Sequence, residues 1–384
     1  MAKLLITSHL AHLYHPWLLL QITGPLIRVV SDRFAWQVKA AIIDTLMLLL
    51  KKSSVQLKAF LPQLQTTFLK ALADHHEVVR GKAAKAFLPM AAVHNRIDAL
   101  VIELCNGVAD GEEPTRSAML QALANTIRGG ASKFAEKSTT LALGILQDIW
   151  DDDKEEVRTL AATCVGCLGT SMDDDVLNNL LDNEVLAPPT SANEQQRNLC
   201  TLSAALSPTT GCVARVWSSD RQLPIEREVV RGLSSKNGDT ACAALQACGN
   251  LLTYLTAEEG HTSQSLPQSI LPAFVTAIQG PQSDQRHRGC QVVADLAKRS
   301  PAFTDEKPVQ TLVLPALLTV AKEKQHMYVK RAAERALVHC LHLRDGTWGV
   351  DMAVSNMTGP AASVLKDYAD RVLGQVADLT DDEE

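Results

Sequence analysis

A helical signature returns along this chain at intervals of roughly 36–45 residues, the range of HEAT-type helix pairs. Its first half is an apolar helix with an early proline: Phe60-Leu61-Pro62-Gln63-Leu64, Ile270-Leu271-Pro272-Ala273-Phe274 and Val313-Leu314-Pro315-Ala316-Leu317. Pro62 and Pro272 lie 210 residues apart, five steps of about 42, and Pro315 follows 43 further on. The second half opens on valine and a cation, in Val38-Lys39, Val79-Arg80, Val157-Arg158 and Val329-Lys330, spaced 41, 78 and 172 residues, or one, two and four periods. Both ladders give one unit length. Units of this size cannot bury an apolar face alone and must stack on one another. The chain therefore reads as all-α, a HEAT/armadillo-type α-solenoid of stacked antiparallel helix pairs.

Within a unit, Leu57, Leu61, Leu64, Phe68 and Leu72 fall at steps of 4, 3, 4 and 4, one stripe of a helix with 3.6 residues per turn. Pro62 fits if it starts or kinks the regular helix, because a proline deeper inside removes a hydrogen bond. The spacing predicts helix pairs at 21–31 with 35–51, 57–73 with 78–92, 95–109 with 115–128, and 135–149 with 156–169. After a helix over 239–255, pairs return at 267–279 with 285–298 and 308–322 with 328–343. Between residues 173 and 233 the pattern loosens around Ala187-Pro188-Pro189-Thr190 and Ser207-Pro208-Thr209-Thr210-Gly211, and only 193–205 and 225–233 read as helix. This divides the chain into regular units over 1–172, a less regular stretch over 173–236, further units over 237–345, and a capping helix with an acidic tail over 346–384.

Composition agrees with stacked helices. Apolar residues make up 46% but aromatics only 4%, which suits packing through Leu, Ala and Val and leaves no segment of strand-like alternation. A net charge of −6 argues against wrapping bare nucleic acid along a continuous basic surface, though not against a local basic patch. Apolar runs such as Leu46–Leu50 fall far short of the roughly 18 residues of a membrane span. His9, His12 and His15 interrupt the stretch where a signal peptide needs an apolar core. Nine scattered cysteines, an odd number, read as reduced thiols. The expectation is a cytoplasmic chain with no membrane partner.

Residues that could carry chemistry are few. Cys164-Val165-Gly166-Cys167 has the spacing of half a zinc site, but no second pair follows, and Cys164 stands six residues after Arg158 as Ala86 stands after Arg80. We read it as core. His339 and His342, and the pair His75-His76, lack further ligands at metal spacing. No nucleophile elbow, zinc-protease helix or phosphate-cradling glycine loop is present. These observations predict neither enzyme activity, nor a metal or cofactor, nor a small-molecule substrate.

Charged residues suggest two kinds of role. Arg80 and Arg158 open second helices and are placed to bond turn carboxylates such as Asp74 or Asp152, a structural ladder between units. Lys322, Lys324, Lys330, Arg331 and Arg335 form either a solvated face or an RNA or ribosome contact. Arg28 interrupts the apolar run Leu26-Ile27-Arg28-Val29-Val30, and Arg33 follows Asp32 in a turn; both are either solvated or a partner contact.

Three blocks carry a family likeness: Ile22-Thr23-Gly24-Pro25-Leu26-Ile27-Arg28-Val29-Val30-Ser31-Asp32-Arg33-Phe34, Trp36-Gln37-Val38-Lys39-Ala40-Ala41, and Phe60-Leu61-Pro62-Gln63-Leu64-Gln65-Thr66-Thr67-Phe68. In these the chain resembles the C-terminal region of the very large HEAT-repeat activator of the general-control kinase, which phosphorylates initiation factor 2 in amino-acid starvation. Gly81 and Phe87-Leu88-Pro89 depart from the family pattern. The resemblance implies a non-catalytic scaffold that associates with ribosomes and binds the RWD domain of the kinase, with the N-terminal blocks inside the kinase-binding region. It also implies a protein several times longer than this chain. By fold alone, an adaptor in a transport, phosphatase or chromosome-associated assembly is the alternative.

Overall fold

The computed structural model describes residues 16–30, 34–52, 56–94, 96–130, 133–210, 212–257, 267, 269–341 and 360–368, and these contain helices and turns with no strand. The chain divides into two compact units, Met1–Leu177 and Asn178–Glu384.

The first unit is four helix pairs: α1 (Pro16–Val29) with α2 (Trp36–Lys52), α3 (Leu61–Leu72) with α4 (Glu77–Val93), α5 (Ile97–Asp110) with α6 (Thr115–Gly130), and α7 (Glu136–Asp148) with α8 (Glu155–Leu168). The second helices form one layer, in which α2 packs on α4, α4 on α6 and α6 on α8. Each first helix covers its own partner. Leu57, Leu61, Leu64, Phe68 and Leu72 are all buried, and Phe68 meets Phe87 of α4 with ring centroids 6.2 Å apart. The layer is tight where α6 ends. A Cβ on Gly129 would run into the Leu88 carbonyl oxygen and come within 3.0 Å of the Ala91 Cβ, so only glycine permits this approach to α4. Helix α4 runs unbroken past Gly81 and Pro89.

Helix α9 (Asp174–Leu180) spans the division between the units and continues as a π turn over Leu181–Val185. The second unit then holds α10 (Ala192–Ala205), α11 (Val213–Val216), α12 (Gln222–Leu233), α13 (Gly238–Leu255), α14 (Ile270–Ile278), α15 (Ser283–Arg299), α16 (Pro301–Asp305), α17 (Leu314–Val320), α18 (Met327–Leu341) and α19 (Pro360–Tyr368). Its inner layer is α10 on α13, α13 on α15 and α15 on α18. The stretch 173–233 is more helical than the periodicity predicts. Helices α9 and α11, of 7 and 4 residues, are too short to write an apolar stripe into the sequence.

Helix starts follow their sequence signals. Pro62 and Pro315 are the second residues of α3 and α17, directly after a 3-10 turn over Gln56–Phe60 and a π turn over Val309–Val313, and Pro272 is the third residue of α14. The prolines therefore mark where regular α-helix begins. Asn237 caps α13 by accepting from the amides of Asp239 and Thr240 at 2.9 and 3.2 Å. Ser191 Oγ accepts from the Glu194 amide at 3.1 Å while Glu194 reaches back to the Thr190 amide, a reciprocal cap on α10. Of the stretch 346–384 predicted to hold a capping helix and an acidic tail, all but residues 360–368 lie outside the described residues.

Candidate partner-docking surfaces

Bonds between neighbouring helix pairs run along the edge formed by their internal turns. Arg80, the fourth residue of α4, donates from Nη1 to the carbonyl oxygens of Asp74 and His75 at 2.9 and 3.1 Å. Arg158, fourth in α8, does the same to Asp152 and Asp153 at 2.8 and 3.5 Å. The carboxylates beside them turn backward. Asp74 Oδ2 accepts from Lys39 Nζ at 2.5 Å, and Asp152 Oδ2 from Arg116 Nη1 at 3.0 Å. In the second unit Arg286 makes both contacts, donating to the carbonyls of Gly280 and Pro281 at 3.0 and 2.8 Å and to Glu323 Oε2 at 2.8 Å.

The expectation that Arg80 and Arg158 bond the turn carboxylates is therefore corrected. Two geometric facts account for it. The guanidinium lies against carbonyls of the turn that joins the two helices, which accept from it directly. The other carboxylate oxygen is already fixed by an amide two residues on, His76 on Asp74 Oδ1 and Lys154 on Asp152 Oδ1, both at 2.9 Å. Lys39, Arg116 and Arg286 lie 35, 36 and 37 residues before their acids, a shared offset a few residues short of one period. Burial by itself would raise the Asp74 pKa, but the Lys39 and His76 bonds prevail and hold it below the usual aspartate value.

At the N-terminal edge, Arg28 is exposed and its Nε donates to the Gly24 carbonyl at 3.4 Å. Arg33 lies outside the described residues. Trp36 stacks on His76 of the next pair, with centroids 3.9 Å apart and planes within 9°. Phe34, Trp36, Val38 and Val78 remain 37–42% exposed, an apolar edge that no charged motif marks in the sequence.

The C-terminal edge is basic. Lys322, Lys324, Arg331 and Arg335 are exposed, and Lys330 sits 3.8 Å from Glu334. Lys322 and Lys324 border a hollow of about 320 Å³ together with Arg286, Thr319 and Glu323. Amides of Gln325 and Lys324, with Arg286, hold the Glu323 carboxyl below its usual range.

Cys164 and Cys167 are buried core residues, and Cys164 donates to the Leu120 carbonyl at 3.4 Å. Burial pushes the Cys164 thiol well above its ordinary pKa, which makes it a poor thiolate nucleophile. His76 caps α4, accepting from the Val78 amide at 3.3 Å. His339 lies in α18, whereas His342 lies outside the described residues. Among the described residues no group of three His, Cys, Asp or Glu is placed to hold a metal ion, and no helix is long and apolar enough to cross a membrane.

Known proteins share this architecture in sequence. Residues 98–384 match the family model described as "Stalled ribosome sensor GCN1-like, HEAT repeats". "Stalled ribosome sensor GCN1" from Homo sapiens is 33% identical over 372 residues, covering 94% of this chain and 13% of the relative. "Protein ILITYHIA" from Arabidopsis thaliana is 29% identical over 91% of the chain and 13% of its own length. "eIF-2-alpha kinase activator GCN1" from Saccharomyces cerevisiae is 37% identical over 43% of the chain and 6% of its own length. The chain thus spans about an eighth of the length of the human and plant relatives.

Proposed function

This chain belongs to the GCN1-like family of HEAT-repeat stalled-ribosome sensors, and on that premise we propose that it is a non-catalytic, cytoplasmic docking scaffold for translational control. In this reading it binds the RWD domain of the initiation-factor-2 kinase, associates with ribosomes and stimulates the kinase in amino-acid starvation. The family match over residues 98–384 carries the proposal. Stacked helix pairs suit the task physically, because they present a long series of turns on which a partner docks with little rearrangement and without a cofactor.

We place the kinase contact at the N-terminal edge, on Arg28 and Arg33, where positive charge on an acidic chain guides an acidic partner. Calorimetric titration of the chain with the kinase RWD domain tests this. Arg28→Ala combined with Arg33→Ala is expected to weaken binding by about 1–2 kcal/mol with helicity unchanged. Equal affinity of variant and wild type removes these two arginines from the contact. No binding by the unaltered chain removes the kinase from the proposal.

A further inference from the structure

The first turn of α15 organises the C-terminal edge. Arg286 holds Glu323, and Asp284 Oδ1 accepts from the Tyr328 hydroxyl at 3.0 Å, so both ends of the turn between α17 and α18 are tied to the preceding helix pair. Tyr328 lies edge to face with His287 at 5.1 Å and with His326 at 5.8 Å between centroids. This aromatic group is not core. Tyr328 is 43% exposed, and its neighbour Met327 is 53% exposed.

The charge around it is unbalanced. Glu323 and Glu334 are paired with the cations Arg286 and Lys330, whereas Asp284 accepts from the neutral Tyr328 hydroxyl. Arg288, Lys322, Lys324 and Arg331 are exposed, and neither Lys322 nor Lys324 has a side-chain partner among the described residues. A local cationic edge on a chain of net charge −6 is not a by-product of composition. An acidic peptide requires the cations alone. Aromatic rings interleaved with them add stacking faces, the combination that single-stranded nucleic acid uses.

We propose that this edge binds single-stranded RNA, with Lys322 and Lys324 on backbone phosphates beside the hollow and Tyr328 with its flanking histidines stacking on bases. The inference gives ribosome association a chemical partner and rests on that reading only for its cellular setting.

Fluorescence anisotropy of the full chain with a labelled uridine dodecamer tests it. Lys322→Glu with Lys324→Glu lowers affinity at least about tenfold and flattens the salt dependence, since each phosphate contact contributes a slope of about −0.7 for single strands. Tyr328→Ala lowers affinity about tenfold, the loss of about one stacked base. Tyr328→Phe loses only the bond to Asp284 and keeps wild-type affinity, which separates stacking from mere support of the turn. The proposal is overturned if the wild-type chain does not bind the oligonucleotide, if the charge reversals leave binding unchanged, or if a polyglutamate peptide of equal length binds as tightly. Co-sedimentation of the chain with ribosomes is measured separately. Its failure removes the ribosome reading while leaving oligonucleotide binding to decide the RNA site.

Discussion

Unit Met1–Leu177 and the first part of unit Asn178–Glu384 bury different chemistry. In the first, the helices meet through residues such as Leu64, Phe68, Ala83, Phe87 and Leu123, and its strongest polar bonds lie out on the turn edge. Between residues 196 and 250 of the second, Gln196, Arg197, Asn198, Thr201, Ser203, Glu228, Thr240 and Asn250 are buried. Backbone ends contribute to this: the π turn, the last turn of α10 and the turn that follows it leave acceptors that side chains meet. Asn198 donates to the Glu184 carbonyl at 3.2 Å, Thr210 to Ser207 at 2.7 Å and Asn250 to Ser203 at 2.7 Å. The regular units carry their charged rungs at the turns, buried as Lys39 and Arg158 are, while the stretch 196–250 gathers buried polar side chains more densely along its helices.

The largest test of this contrast is Phe68→Ala. The ring is fully buried, and its loss is expected to destabilise the first unit by about 3–5 kcal/mol in denaturant unfolding. A change below about 1 kcal/mol would show that apolar burial does not dominate there.

Next comes the outer rung. Asp74→Asn removes the charge that Lys39 meets in a nearly buried bond, and about 1.5–3 kcal/mol should be lost at neutral pH. The sign with pH follows from the depressed Asp74 pKa. Its stabilisation is full above the ordinary aspartate value and disappears as pH falls through the lower folded-state value, so variant and wild type should converge in acid. A gap that persists undiminished at low pH would mean that the amide disturbs packing rather than charge.

The same contrast explains what the sequence made legible. Regular helix pairs announce themselves because one stripe, Leu57 to Leu72, decides their burial. Rungs are half legible: Asp74 and Arg80 stand out in the repeat, yet which atoms they meet depends on carbonyl geometry that no spacing encodes. Around Asn198 and Glu228 the period fails for a physical reason, since buried polar residues, Asn198 bonded to the Glu184 carbonyl and Glu228 paired with Arg231, resemble surface positions in a linear reading. The exposure of Tyr328 and Trp36 is not legible, because an exposed aromatic has the same one-letter signature as a core one.

Inside the second unit, Asn250→Ala should destabilise by about 1–2 kcal/mol, because the Ser203 carbonyl is left without its donor. Asn250→Ala in the full chain, followed by hydrogen exchange, should loosen α10 and α13 and leave α4 and α6 protected. Equal loosening of α4 and α6 would erase the distinction between the two regions.

The finest discrimination comes from Glu228, a carboxylate almost wholly buried in α12, 3.0 Å from Arg231. One of its oxygens, Oε1, is buried without a hydrogen-bond partner. Burial raises its pKa, and the attraction of Arg231 only partly opposes this. A carboxyl raised on folding stabilises the native state fully below its unfolded-state value, and the benefit is lost as pH rises through the folded-state value. That is opposite in sign to Asp74. Glu228→Gln, neutral at every pH, should therefore match the wild type in acid and exceed it slightly above the raised value. Chemical denaturation across this range, monitored by hydrogen exchange in α12, measures the difference. A wild type that gains stability relative to the variant as pH rises would show that Arg231 outweighs burial, and the interior of the second unit would then hold its charge as the outer rungs of the first unit do.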